Sequence, residues 1–238
     1  MPTSTPSDGA GLPHALVTGT SAGIGAAIAE LLLAQGWRVS GLDRAPARIG
    51  HAAFRPVQVD LTDGQATDAA VQACGTATAL VHAAGVLRVA PVGQLSAADG
   101  ALMWQLHVQA IAGIANRVLP AMAAAGQGRV VLIGSRVASG VAGRSQYAAT
   151  KAALVALARS WAAEVVARGV TVNVVSPAAT RTGMLADPAR QSASPRVPPM
   201  GRLIEPGEVA ALVAFLLSPP AAAITGQDIR ICGGASLG

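Results

Sequence analysis

The stretch HALVTGTSAGIGAAIAELLLA, residues 14–34, joins a short branched run, His14 to Val17, to a glycine-rich turn and a helical pattern over Ile24 to Leu33. Strand, turn and helix in immediate succession are the setting in which such a turn binds phosphate, although the spacing here is GxxxGxG rather than GxGxxG. Gly19 permits the tight turn, Gly23 a close approach of backbone to a pyrophosphate, and Gly25 close packing of helix on strand. The first amides of a helix have no intrahelical acceptor and lie at the positive end of its dipole, so an anion is favoured there. No Gly-Lys-Ser/Thr closes the turn, which argues against a nucleotide-hydrolysing P-loop. Taken alone, the stretch still admits a purely structural glycine turn.

Outward from it, branched runs alternate with alanine-rich helical patterns. Arg38 to Leu42, Pro56 to Val59, Ala79 to Val81, Arg129 to Ile133, Val170 to Val175 and Asp228 to Ile231 read as further strands. Helices are predicted over Asp63 to Gln72, Ala101 to Ala125, Gln146 to Val166 and Gly207 to Leu217. Strands without polar alternation, each followed by a helix, predict an α/β fold: a doubly wound Rossmann fold with a parallel, seven-stranded sheet flanked by helices on both faces. Its ligand crevice lies beyond the carboxyl ends of the strands. Residues 1–12 read as a flexible tail and 13–238 as a single dinucleotide-binding catalytic domain. Within it, a proline-bearing loop over 178–203 is longer than a connector needs, so it reads as a lid or substrate wall, or as a surface excursion.

Hydrophobic residues make up 52% of the 238 and charged residues 12%, so much of the surface is small and weakly polar or is covered by another subunit. The net charge is +5, but the arginines are dispersed and aromatic residues are only 3%, which argues against nucleic-acid binding. Cys74 and Cys232 imply no disulfide framework, and the four histidines form no ligand-spaced metal cluster. No apolar stretch has the length of a membrane span, and the N-terminal dozen residues lack a signal-peptide core, so a cytoplasmic protein is expected.

Asp43 ends the second strand eighteen residues beyond Gly25, where a carboxylate can accept hydrogen bonds from an adenosine ribose and repel a 2′-phosphate. NAD is therefore expected over NADP, with Arg44 as the complication. Asp60 ends the third strand, where it can face an adenine edge or cap the next helix. His82-Ala83-Ala84-Gly85 ends the fourth with small residues that leave room for a cofactor. The only tyrosine, Tyr147, stands four residues before the only lysine, Lys151, which places both on one helix face. An ammonium beside a phenol favours the phenolate and suits it to proton exchange. Ser135, at the end of the fifth strand, adds a hydroxyl on the same side. Together these groups suit hydride exchange at a carbinol or carbonyl carbon, with a proton exchanged at its oxygen.

The ordered set TGTSAGIG, Asp60, HAAG, a strand ending in Ser135, YAATK and VSPAATRT resembles the short-chain dehydrogenase/reductase family over essentially the whole chain from His14 to Gly234. The resemblance implies Ser135, Tyr147 and Lys151 as catalytic residues. It implies Gly19, Ser21, Gly23, Ile24 and Gly25 as the phosphate-side loop, Asp43 as the ribose acid of NAD-using members, and Asp60 with Leu61 as the adenine pocket. Ala83, Ala84 and Gly85 match the strand beneath the adenosine, and the Pro177 to Thr182 stretch, including Thr180, matches the nicotinamide contact. Ala22 stands where many NADP-dependent members carry a basic residue, in agreement with Asp43.

Three positions depart from the family pattern. His107 replaces the asparagine whose backbone anchors a water of the proton relay, and its imidazole reads either as a further catalytic group or as a packed histidine. His82 replaces the first asparagine of NNAG, and Ala178 the glycine after the family proline. The expected substrate is a secondary alcohol or ketone handled with NAD. An NADPH-dependent carbonyl or 3-oxoacyl reductase is the alternative, and a catalytically idle dinucleotide sensor a more distant one. Alanine-rich helical faces and the resemblance together imply a homotetramer, or a homodimer.

Overall fold

The computed structural model describes residues 12–186 and 196–237. All of the expected tail except Leu12, and residues 187–195 of the expected loop, lie outside the described residues.

Seven strands form one sheet: β1 (His14–Thr18), β2 (Arg38–Asp43), β3 (Phe54–Gln58), β4 (Ala79–His82), β5 (Gly128–Ile133), β6 (Val170–Pro177) and β7 (Asp228–Ile231). Their order is β3-β2-β1-β4-β5-β6-β7 and every pairing is parallel. β1, β4 and β6 are buried along their whole length, which is why they lack polar alternation. β3 is an edge strand, and that position tolerates Pro56, which has no amide to give to a neighbour.

Each face of the sheet has its own core. Leu16, Leu80 and Leu132 pack against α2 (Gly64–Cys74), α4 (Ala110–Ala124) and α5 (Ser145–Val165), through residues such as Val71, Ile114 and Leu154. Ala15, Val17 and Val131 face α1 (Gly23–Ala34) and α6 (Pro206–Leu217), meeting Ile28, Leu32 and Val213. Burying each such leucine stabilises the fold by roughly 2 kcal/mol, so both helical layers are held firmly to the sheet.

The strand order reverses at β1, which lies between β2 and β4. Thr18, its last residue, stands beside Leu42 on one side and His82 on the other. A crevice opens there by geometry alone.

The single helix predicted over Ala101 to Ala125 is built differently. Helix α3 (Ala97–Trp104) begins earlier, because Ser96 Oγ accepts the Asp99 amide at 3.1 Å and caps it. A π turn over Gln105–Gln109 then separates α3 from α4. A π turn has no residue signature of its own, so the sequence does not announce it.

Candidate active site

The glycine-rich turn is held by backbone packing. Gly19 has φ of +78°, and a Cβ on it would come within 2.8 Å of the Ala84 amide nitrogen, while one on Gly25 would lie 2.1 Å from the Gly19 carbonyl oxygen. The turn thus lies against the end of β4, and α1 starts directly on the turn. Ala22, at the N-cap of α1, gives no side-chain cap, and the first turn contains no acidic residue. Its amides keep their affinity for an anion. Gly23, instead of only clearing space for phosphate, also approaches Thr182, whose Cγ2 would lie 3.2 Å from a Cβ there.

Thr18 is a residue that sequence reasoning passed over. Its Oγ1 accepts the amides of Ala83 and Ala84, both at 3.1 Å, and meets His82 Nδ1 at 2.9 Å. This one hydroxyl ties the end of β1 to the HAAG segment. A threonine closing a strand is the only sequence signal, and it is a weak one.

Asp43 accepts two amides, from Ser21 at 2.9 Å and from Ala45 at 2.9 Å. Ser21 gives its hydroxyl hydrogen to the Ala45 carbonyl at 3.0 Å, so the turn and the end of β2 form one framework. Asp60 does not cap α2, since Asp63 does so by accepting the Ala66 amide. Asp60 instead closes a local turn with the Thr62 amide and hydroxyl, which hold its carboxyl below the usual range, with a smaller contribution from the charge of Arg44.

Above the reversal point the cleft encloses about 600 Å³. Gly19, Ser21, Gly23, Ile24, Gly25, Asp43, Asp60, Leu61, Ala83, Ala84, Gly85, Ser135, Tyr147, Lys151, Pro177, Thr180 and Thr182 all line it. His107 does not: it is fully buried behind the wall. Its Nε2 accepts the Val86 amide at 3.0 Å and its Nδ1 meets Thr150 Oγ1 at 2.9 Å, so both ring nitrogens are engaged by the protein. Burial, reinforced by the nearby charge of Lys151, holds the imidazole neutral.

Ser135 lies two residues past β5, with its Oγ accepting the Val137 amide at 3.2 Å. Tyr147 and Lys151 come from the first two turns of α5 and are both buried, and Lys151 Nζ lies 5.8 Å from the centre of the Tyr147 ring. The ammonium donates to the Ile133 carbonyl at 2.8 Å. Burial lowers its pKa to about 8, so near neutral pH it is still mostly a cation. Arg88, Arg136, Arg144 and Arg196 stand at the cleft, Arg88 paired with Asp99 at 3.6 Å and Arg136 donating to the Ala235 carbonyl at 3.1 Å.

Among the described residues no group of histidine, cysteine and acidic side chains could hold a metal ion, and no helix is long and apolar enough to cross a membrane. Uncapped helix amides, glycines pressed against backbone and a carboxylate at the second strand end fit a nicotinamide dinucleotide.

A parallel sheet with this crevice, furnished with a serine, a tyrosine and a lysine, defines a dinucleotide-dependent oxidoreductase acting on CH–OH or C=O groups. The family model described as "Enoyl-(Acyl carrier protein) reductase" matches residues 19–236. The chain is 36% identical over 235 residues to the 3-oxoacyl-[acyl-carrier-protein] reductase FabG of Vibrio cholerae, covering 92% of this chain and 96% of the relative. A solved short chain dehydrogenase/reductase family protein superposes with a TM-score of 0.88 at 34% identity, covering 95% of this chain and 98% of the other. An actinorhodin polyketide ketoreductase variant solved with NADPH gives 0.85 at 29% identity, covering 94% and 97%. The chain belongs to the short-chain dehydrogenase/reductase family.

Proposed function

We propose that the chain interconverts a ketone and a secondary alcohol with NAD(H), using Ser135, Tyr147 and Lys151. The observation that carries the cofactor reading is Asp43, whose carboxylate lines the cleft at the end of β2 and is held by the Ser21 and Ala45 amides. A ribose 2′-phosphate would meet a fixed negative charge there, whereas ribose hydroxyls would meet an acceptor. Arg44 lies near enough to Asp60 for its charge to lower the carboxyl slightly.

When bound, the nicotinamide gives or takes the hydride. Ser135 receives the Val137 amide on a lone pair, which leaves its hydroxyl hydrogen to hold the substrate oxygen. Tyr147 donates a proton to that oxygen during reduction and accepts one during oxidation. Lys151, a buried cation anchored on the Ile133 carbonyl, favours the phenolate by its charge.

The relatives favour a second reading, in which the chain reduces a 3-oxoacyl group with NADPH. The Vibrio cholerae relative carries the 3-oxoacyl reductase name, and the polyketide ketoreductase was solved with NADPH. Steady-state kinetics with NADH and NADPH, over ketones and 3-oxoacyl thioesters, separates the two readings. With NAD(H) the expected kcat/KM is at least about tenfold higher. A preference for NADPH would overturn the cofactor reading and leave the reductase. For assembly, the alanine-rich surface of α5 and the exposed side chain of Trp104 support a homotetramer.

A further inference from the structure

His82 and His107 are both fully buried, and neither lines the cleft. Their hydrogen bonds fix where each ring carries its hydrogen. The Val86 amide donates to His107 Nε2, so that nitrogen is an acceptor and the hydrogen sits on Nδ1. Nδ1 then donates to Thr150 Oγ1, which gives its own hydrogen to the Tyr147 carbonyl at 2.8 Å. This chain runs from the HAAG segment through the imidazole to the backbone of the tyrosine.

His82 has the opposite arrangement. Thr18 Oγ1 already accepts two amides, so its hydrogen goes to His82 Nδ1, and the ring hydrogen sits on Nε2. That Nε2 is buried without a hydrogen-bond partner at normal geometry among the described residues. Burial and the charge of Lys151 lower the proton affinity of the ring, and the backbone at Leu106 and His107 raises it. Both residues belong to the π turn, where the hydrogen-bond ladder changes register.

The space around the pair is tight. A Cβ on Gly85 would lie 3.0 Å from His107 Nε2 and 3.7 Å from Lys151 Nζ, and the His107 ring stands edge-on to Tyr147 at 5.6 Å between centroids. A shift of the π turn would therefore carry His107 against the tyrosine or away from the Val86 amide. The titratable groups facing this pair are Lys151 and Tyr147.

We propose that His82 and His107 form a pair of opposite, fixed tautomers that pins the π turn behind Tyr147 and Lys151, which makes His82 a positioning residue for proton transfer. The inference rests on the reading of Tyr147 and Lys151 as the proton-transfer pair. Two substitutions in the full chain separate the donor from the fold. His82→Asn keeps an acceptor where Nδ1 meets Thr18 but removes the donor facing the π turn, whereas His82→Gln places an amide N–H near the Nε2 position.

Nitrogen-15 NMR of the histidine rings is the direct test. In the unaltered protein it should show His82 protonated on Nε2 and His107 on Nδ1, both neutral from about pH 6 to 9. In His82→Asn the His107 signals should lose their single-tautomer pattern. Its kcat should fall about tenfold and the acid limb of the pH–rate profile move by about half a unit, with KM for the dinucleotide within about twofold. His82→Gln should keep kcat within about threefold. The proposal is overturned if His82 carries its hydrogen on Nδ1, or if His82→Asn leaves the His107 pattern, kcat and pH profile unchanged. Should His82→Asn fail to fold, the ring pattern of the unaltered protein still decides. A Tyr147→Phe enzyme that kept its turnover would instead remove the catalytic reading, and the tautomer measurement would stand apart from it.

Discussion

Lys151 should make the empty protein less stable at neutral pH than it need be, and Lys151→Met should reveal by how much. Burial lowers the ammonium pKa from 10.5 to about 8. At about 1.4 kcal/mol per pH unit, that difference corresponds to roughly 3 kcal/mol. The sign follows from proton counts. Between about 8 and 10.5 the unfolded chain holds more protons at this site than the folded one, so stability rises with pH through that window. The contribution is fully present above 10.5 and is lost as pH falls through 8. Methionine fills a similar volume and carries no charge, but gives up the hydrogen bond to the Ile133 carbonyl, worth about 1 kcal/mol. Urea unfolding without cofactor should therefore find Lys151→Met more stable by roughly 2 kcal/mol near pH 7, with the gain vanishing or reversing near pH 10.5. Turnover should be lost throughout. A stability difference that stays constant across the window would refute the burial argument.

Tyr147→Phe should lower kcat by about a thousandfold in either direction while dinucleotide affinity, read by fluorescence titration, changes less than about threefold; undiminished turnover would exclude the phenol from proton transfer. Gly25→Ala would set a methyl group 2.1 Å from the Gly19 carbonyl oxygen, a backbone atom that cannot swing aside. It should lower unfolding stability by about 1–3 kcal/mol and weaken dinucleotide binding, and an unchanged melting temperature would contradict the packing described for the turn.

Strand positions were legible because a parallel sheet covered on both faces leaves runs such as Val130 to Ile133 no reason to alternate with polar residues. The turn after β1 was legible for a related reason: only glycine tolerates the backbone contacts at positions 19 and 25. Asp60 shows the limit of such reasoning. Two aspartates three residues apart offer the same local chemistry, and the start of α2 selects Asp63 because its carboxylate reaches the Ala66 amide. The long helical pattern before β5 gave no sign of the π turn, because such a turn carries no residue signature of its own. His107 was visible as an odd residue at a suggestive position. Its location behind the cleft depends on Val86 and Thr150, which are 21 and 43 residues away, and no local pattern carries that information.

The two halves of the site therefore have different physical origins. The dinucleotide half is made largely of backbone: uncapped amides of α1, glycines pressed on β4, and a carboxylate fixed by two amides. Such elements are specified within short segments, so few residue types satisfy them and the sequence declares them. The proposed proton-transfer half joins Ser135, just beyond β5, to side chains of α5 and the π turn, meeting across long separations around one buried ammonium. Here the spacing of Tyr147 and Lys151 points to the pair, but the burial of the ammonium and its anchor on the Ile133 carbonyl come from the packing of α5 on the sheet. Thr18 is the joint between the halves. Its hydroxyl holds the HAAG segment on the cofactor side and gives His82 the tautomer whose N–H is buried without a hydrogen-bond partner among the described residues. Loss of that hydroxyl in Thr18→Val would thus be felt on both sides of the cleft, although the residue lies beneath it.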